Sequence, residues 1–196
     1  MGKIIVHNSL TLDGVMQAPG RADEDTRGDF THGGWAIPYF DPIMFSPPAD
    51  GKMPDLLFGR RTYEDFYQVW PNRNDGNPFT EVLNNSQKYV ASTTLPEPLP
   101  WMNSTLLTGD VPAAVARLKQ HSDNNLVILG SGVLIQSLLP HNLIDVFELL
   151  IHPLILGTGR RLFPDGSPFA ALKLVDTKIA STGVIIATYH PTEGGA

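Results

Sequence analysis

The residues in this sequence best suited to chemistry are glycines, hydroxyls and arginines gathered at three places. Gly130, Ser131 and Gly132 follow four apolar residues, 126–129, and lead into an apolar, helix-compatible segment that begins with Val133 and Leu134. Glycines there let the backbone turn sharply without a Cβ to obstruct a ligand, and the N–H groups of a helix start favour an anion. Gly59, Arg60, Arg61 and Thr62 stand at the same kind of junction after the apolar run 54–58. Two arginines in a first helical turn oppose the helix dipole. Either their side chains swing out to solvent, or an anion sits among them. Ser92, Thr93 and Thr94 end a third run, 88–92, with three consecutive hydroxyls. All three places suit phosphate. The alternative for residues 130–132 is an ordinary tight strand-to-helix turn, and Ile135 stands where a dinucleotide fingerprint has its third glycine.

The elements that must position these groups can be read from hydrophobic period and turn residues. Strands are expected at residues 3–10, 54–58, 88–92, 104–108, 126–129, 144–150, 172–179 and 183–190. Helices are expected at 59–70, 78–85, 111–121 and after Gly132, with a short one at 39–45 stopped by Pro47 and Pro48. Asp110 is the expected cap of the third of these helices, with Pro112 in its first turn. Residues 15–38 are polar, glycine-rich and acidic without a period, and a loop of that length is usually functional or mobile. It ends at Gly33-Gly34-Trp35, a large aromatic beside flexible backbone that makes Trp35 a substrate candidate. Alternating strands and helices followed by strands alone imply an α/β fold, a mostly parallel sheet with an antiparallel C-terminal group.

Composition narrows the classes. With 196 residues the chain suits one domain, taken as 1–190 with a tail at 191–196. A hydrophobic content of 42% and a charged content of 17% describe a globular protein, and a net charge of -6 argues against nucleic acid as a partner. There is no cysteine, so disulfides, thiol nucleophiles and thiolate metal sites are excluded. The six histidines are scattered without metal-ligand spacing, and no metal is expected. No signal-type apolar run or membrane-length segment is present, so a cytoplasmic location is expected.

In an open α/β sheet, ligands lie beyond the carboxyl ends of the strands. Three such ends would suit a dinucleotide, with residues 130–132 and 59–62 flanking the pyrophosphate. Ser92–Thr94 and an arginine from Arg60 or Arg61 would hold a ribose 2′-phosphate, which predicts NADPH over NADH.

Five segments, SLTLDG, LLFGRRTYEDF, YVASTTL, LVILGSGVLIQSLL and HPLILGTGRRLFPDG, occur in this order across nearly the whole chain. Together they resemble the dihydrofolate reductase-like superfamily, and the last resembles the RibD C-terminal domain of riboflavin biosynthesis. The resemblance implies an eight-stranded sheet with helices on both faces, NADPH, and hydride transfer to a small heterocyclic or ribosylamino-pyrimidine substrate. Carried across, Gly59, Arg60, Arg61, Thr62, Ser92, Thr93, Gly130, Ser131 and Gly132 match cofactor positions. Leu12, Asp13, Gly14 and Val15 match the loop that closes over the nicotinamide, and Asp13 is a candidate proton donor. Arg160, in the turn GTGRR, would lie near substrate and subunit interface, holding a substrate phosphate or pairing across a dimer.

The resemblance has a gap. The helix that carries the substrate carboxylate in dihydrofolate reductase is replaced here by residues 15–38, whose acids cannot be assigned by motif. Two alternatives to the riboflavin-type reductase follow: a non-catalytic dinucleotide-binding module, and a dihydrofolate reductase-type enzyme acting on a pteridine. A non-redox enzyme acting on a phosphorylated sugar would use the same anion sites. A homodimer is expected because the apolar stretch 147–156 and the final strands offer more surface than a small helix layer can cover.

Overall fold

Strands and helices alternate until the last third of the chain, then give way to strands alone. The structure is a computed structural model that describes residues 2–45 and 51–192. In chain order the elements are β1 (Ile4–Thr11), β2 (Asp55–Gly59), α1 (Arg60–Val69), α2 (Pro78–Asn85), β3 (Lys88–Ala91), β4 (Ser104–Leu107), α3 (Val111–His121), β5 (Leu126–Leu129), α4 (Gly132–Leu138), β6 (Val146–His152), β7 (Leu172–Ile179) and β8 (Ile185–Pro191). The eight strands form one mixed sheet in the order β4-β3-β2-β5-β1-β6-β8-β7. β2 pairs in parallel with β3 and β5, and β3 with β4, whereas β8 runs antiparallel to both β6 and β7.

Local chemistry explains the boundaries. Asp110 accepts the Ala113 N–H at 3.0 Å and starts α3 as expected, and Asn77 caps α2 by accepting the Phe79 N–H at 2.9 Å. The short helix expected at 39–45 is instead two 3₁₀ turns, Ile37–Tyr39 and Pro42–Phe45. Pro38 and Pro42 lack the N–H groups that a continuous helix would need. Pro47 and Pro48, expected to stop it, lie outside the described residues. Two residues of the tail expected at 191–196 belong to the sheet region, because Pro191 closes β8 and Thr192 donates its N–H to the Ala171 carbonyl at 3.0 Å; the rest of the expected tail lies outside the described residues. No helix among the described residues is long and apolar enough to cross a membrane.

Packing groups the chain into two units, Met1–Ile5 with Pro47–Ile144 and Val6–Ser46 with Asp145–Ala196. The first is built on Leu56, Phe58, Tyr63, Leu83, Val90, Trp101 and Leu129. Its least expected core residue is Lys88, fully buried, whose Nζ donates to the carbonyls of Asn84, Ser86 and Met102 at 3.2, 2.8 and 3.2 Å. The Trp101 ring lies 4.7 Å from the same ammonium. The second unit has two apolar clusters, one around Met44, Leu150, Val184 and Ile186, the other around Val15, Ala18, Phe30 and Trp35.

Candidate functional site

In the first unit the three phosphate-suited turns do share one edge. Gly59 stands opposite Ala91, and Leu56 opposite Val127, so the same register carried onward sets Gly130 beside Gly59. The carboxyl ends of β3, β2 and β5 are therefore level, and at about 5 Å between neighbouring strands they span roughly 10 Å.

Two of these turns are bonded to each other. Ser131 Oγ accepts the Gly59 N–H at 3.0 Å, and Thr62 Oγ1 accepts the Ser131 N–H at 3.1 Å. Each hydroxyl acts here as an acceptor and keeps its own O–H to offer a ligand. Gly130 and Ser131 both take the left-handed conformation, with φ of 59° and 54°. A Cβ on Gly130 would lie 3.4 Å from Thr62 Cγ2 and Oγ1, so that glycine is required for conformation as well as for room. Gly59 differs, since its φ is -79° and a Cβ would meet nothing nearer than 3.8 Å. Gly132 opens α4, Val133 is exposed, and Leu134 is buried, which leaves Leu134 only its backbone for a ligand.

The two arginines are not equivalent. Arg60 Nη1 donates to Glu64 Oε2 at 2.9 Å, one turn along α1. Arg61 is exposed and makes no ion pair among the described residues. Ser92 is buried, and its Oγ accepts the N–H groups of Thr94 and Leu95, each at 3.1 Å. Ser92 thus closes the turn after β3, and the hydroxyls left exposed are those of Thr93 and Thr94.

In the second unit, the loop after β1 is stitched to the turn that contains the second arginine pair. Met16 donates its N–H to the Arg160 carbonyl at 2.9 Å, Leu162 donates to Gly14 at 3.1 Å, and Val15 and Arg161 form a bridge. Leu12 is exposed at the tip, whereas Val15 is fully buried among Ala18, Phe30 and Trp35 and has no side-chain surface for a cofactor.

Asp13, the candidate proton donor, is held in the structure as a hydrogen-bond acceptor. Its carboxylate accepts the Thr11 hydroxyl at 2.5 Å and the N–H groups of Leu156 and Gly157 at 3.2 and 2.8 Å. The Thr11 hydroxyl, with the Gly157 and Leu156 amides, outweighs burial and holds its pKa below the ordinary carboxylate value. A carboxylate held so clamps the loop to the turn.

Trp35, the substrate candidate, is a core residue in the structure. It is 8% exposed, its indole N–H donates to the Gln17 carbonyl at 2.7 Å, and its ring meets His152 edge-on at 5.0 Å. His152 is a core histidine, as its place on a strand suggests: burial pushes its pKa down, against carbonyl contacts from Leu150 and Leu10. Arg160 leaves its side chain exposed while its N–H donates to Gln17 Oε1 at 2.9 Å.

Gln17 carried no signal in the sequence. Its side chain also donates to the carbonyls of Asp25 and Arg27 at 3.0 and 2.9 Å, tying the acidic loop to the arginine turn. His7 and Glu148, 3.3 Å apart, were equally invisible, being 141 residues apart in the chain. No group of three or more His, Asp or Glu residues placed for a metal occurs among the described residues.

YyaP of Bacillus subtilis (strain 168) is 29% identical to this chain over 193 residues, covering 96% of this chain and 94% of YyaP. A crystal structure of a Shewanella sp. PV-4 protein assigned to riboflavin biosynthesis aligns with a TM-score of 0.72 and 22% identity, covering 98% of this chain and all of that one. Dihydrofolate reductase of Enterococcus faecalis, complexed with NADP(H), aligns with a TM-score of 0.58 and 18% identity, over 98% of both chains. These structural likenesses bear on the fold, which is dihydrofolate reductase-like. The profile of the RibD C-terminal domain matches residues 2–186, and the chain belongs to that family.

Proposed function

We propose that the protein is an NADPH-dependent reductase acting on a small heterocyclic substrate, of the ribosylamino-pyrimidine type. The observation that carries this reading is the levelling of three ligand-suited strand ends, at Gly59, Ala91 and Gly130, in one unit. The residues there fit a dinucleotide: Gly130 leaves room for a phosphate, and the Ser131 and Thr62 hydroxyls donate to it. The N–H groups of Gly132, Val133 and Leu134 add the positive end of a short helix. Arg60 or Arg61, with Thr93 and Thr94, holds the 2′-phosphate. The Arg60–Glu64 pair is worth only about 0.3–0.5 kcal/mol and yields to a phosphate. NADPH supplies the hydride when bound. Isothermal titration should show NADPH binding at least about tenfold more tightly than NADH, with no binding of ribose 5-phosphate, and a pyrimidine panel should reveal substrate-dependent NADPH oxidation. Equal affinity for the two dinucleotides, or binding of the sugar phosphate alone, would sink the reading.

The protein acts as a homodimer through β7. Phe147, Leu149 and Leu150, expected to be spare surface, are buried within the chain, and Ile155 stays exposed. β7 is the last strand of the sheet and carries Leu174, Val175 and Ile179 at 51%, 46% and 71% exposure. An apolar edge strand of that kind pairs readily with another chain. Light scattering should give twice 21.4 kDa, and Ile179→Glu should shift it towards the monomer; a wild-type monomer at micromolar concentration refutes this.

A further inference from the structure

β7 is the last strand of the sheet, and every residue on it after Leu172 is exposed, so both of its faces meet solvent. Natural edges are commonly protected from stray pairing by charges or by a bulge. β7 has both. It carries Lys173, Asp176 and Lys178, and its register shifts where Leu174 faces Tyr189 and Asp176 faces Thr188, which leaves Val175 without a counterpart on β8. Neither Asp176 nor Lys178 takes part in an ion pair among the described residues. Such charges deter an unlike strand, but they can match a second β7.

A symmetric antiparallel pair of one strand with itself has a two-fold axis where one residue meets its own counterpart, and that residue defines the register. With Lys173, Asp176 or Lys178 on the axis, like charges meet. With Leu174 there, Leu172 faces Asp176; with Val175, Leu174 faces Asp176 and Leu172 faces Lys178. With Ile179, Lys178 faces Ala180 and Asp176 stays unmatched. Thr177 alone satisfies the whole stretch. Asp176 then faces Lys178 twice over, Val175 faces Ile179 twice over, and the two threonines face each other. Opposite charges and apolar or threonine pairs are the favourable cross-strand contacts, and like charges are destabilising. The apolar row continues inward, because Ile179 also faces Ile185 of β8, itself 38% exposed.

We propose that the partner at this edge is a second copy of the chain, joined β7 to β7 about a two-fold axis at Thr177, with the paired stretch running from Val175 to Ile179. The bulge at Val175 bends the strand and ends the pairing there. The charges that deter other strands select this register over its neighbours. The inference rests on the homodimer reading and specifies its geometry.

The chain has no cysteine, so a single introduced one reports on its own neighbourhood. Residues that face each other across an antiparallel pair have Cα atoms about 4.5–5.5 Å apart, within disulfide reach. Val175 and its counterpart would instead be offset by about 13 Å along the strands. Under mild oxidation of the full chain, Thr177→Cys should form a disulfide-linked dimer on a non-reducing gel at least about tenfold faster than Val175→Cys. Lys178→Asp should weaken self-association at least about tenfold by light scattering across a dilution series. Combining it with Asp176→Lys swaps the two charges and should return the affinity to within about twofold of wild type. Equal or faster cross-linking of Val175→Cys, or a swap that restores nothing, overturns this register and leaves a homodimer of another geometry. A wild type that stays monomeric at micromolar concentration overturns the register and the homodimer together.

Discussion

The cradle of the first unit and the clamped loop of the second are built in opposite ways. The cradle consists of short strand-to-helix turns whose parts are close in sequence, and one register levels three of them. Long-range hydrogen bonds from Gly59 to Ser131 and from Ser131 to Thr62 join two of its turns. The loop after β1 has almost no regular structure, and its geometry comes from partners more than 140 residues away, such as Gly157 for Asp13 and Arg160 for Gln17. A repeated local motif tolerates change at single positions, whereas a stitched loop depends on each stitch. Substitutions matched across the two regions should show this difference.

The largest effect is expected at Gly159, where φ is 108° and an added Cβ would fall 2.7 Å from Phe30 Cε2 and 2.8 Å from Val15 Cγ1. Left-handed strain and overpacking together should make Gly159→Ala destabilising by about 4 kcal/mol in chemical denaturation. The matched change in the cradle, Gly130→Ala, meets Thr62 only at 3.4 Å and should cost about 1–2 kcal/mol. Equal costs would break the contrast.

Lys88→Ala comes next, because it opens a cavity and deprives three carbonyls of their donor, a loss of about 3 kcal/mol. Its pH dependence has a definite sign. Burial pushes the Lys88 pKa from 10.5 down to about 8, so between these values the unfolded chain holds a proton that the folded chain does not. The stability linked to this shift is complete above pH 10.5 and is lost as the pH falls through 8. The gap between wild type and variant in melts at pH 8 and 10 should therefore widen with pH. A gap that narrows would show that the carbonyls and the Trp101 ring keep the ammonium charged past pH 10.

For the cofactor, Arg60→Ala and Arg61→Ala titrated separately should identify the one that weakens NADPH by about 10- to 100-fold and leaves NADH unchanged, a cost of about 1.4–2.7 kcal/mol. If neither alters the NADPH-to-NADH ratio, both are ordinary surface residues. The smallest effect is expected for Asp13→Asn, about 1 kcal/mol, since the amide keeps one acceptor oxygen. Faster hydrogen exchange at the Leu156 and Gly157 amides is the local readout. The lowered Asp13 pKa contributes stability above the ordinary 3.8 that is lost as the pH falls through the folded value, so wild type and variant should converge below pH 3.8. An abolished turnover in Asp13→Asn with the loop intact would make Asp13 a chemical participant.

Much of the frame was legible because its signals are local. An apolar run such as 126–129 followed by Gly-Ser-Gly reads as a buried strand and a turn whatever surrounds it, and Asp110 caps the helix it precedes. The surroundings of Trp35 and Asp13 were not legible, for the converse reason. The residue type leaves open whether an indole meets a substrate or, as here, the Gln17 carbonyl and His152. A carboxylate's proton depends equally on the donors that face it.

By itself the sequence determined the order of elements, the parallel-then-antiparallel sheet, the family, and the positions of the three strand-end turns. Period, chain chirality and turn chemistry act over a few residues, so they survive translation into structure. Only the tertiary structure decided that Arg60 pairs with Glu64, and that Ser92 is occupied by its own loop. It also decided that Lys88 is buried and that His7 meets Glu148. Those outcomes rest on which donors and acceptors meet across large sequence separations, and burial then sets the strength of each meeting.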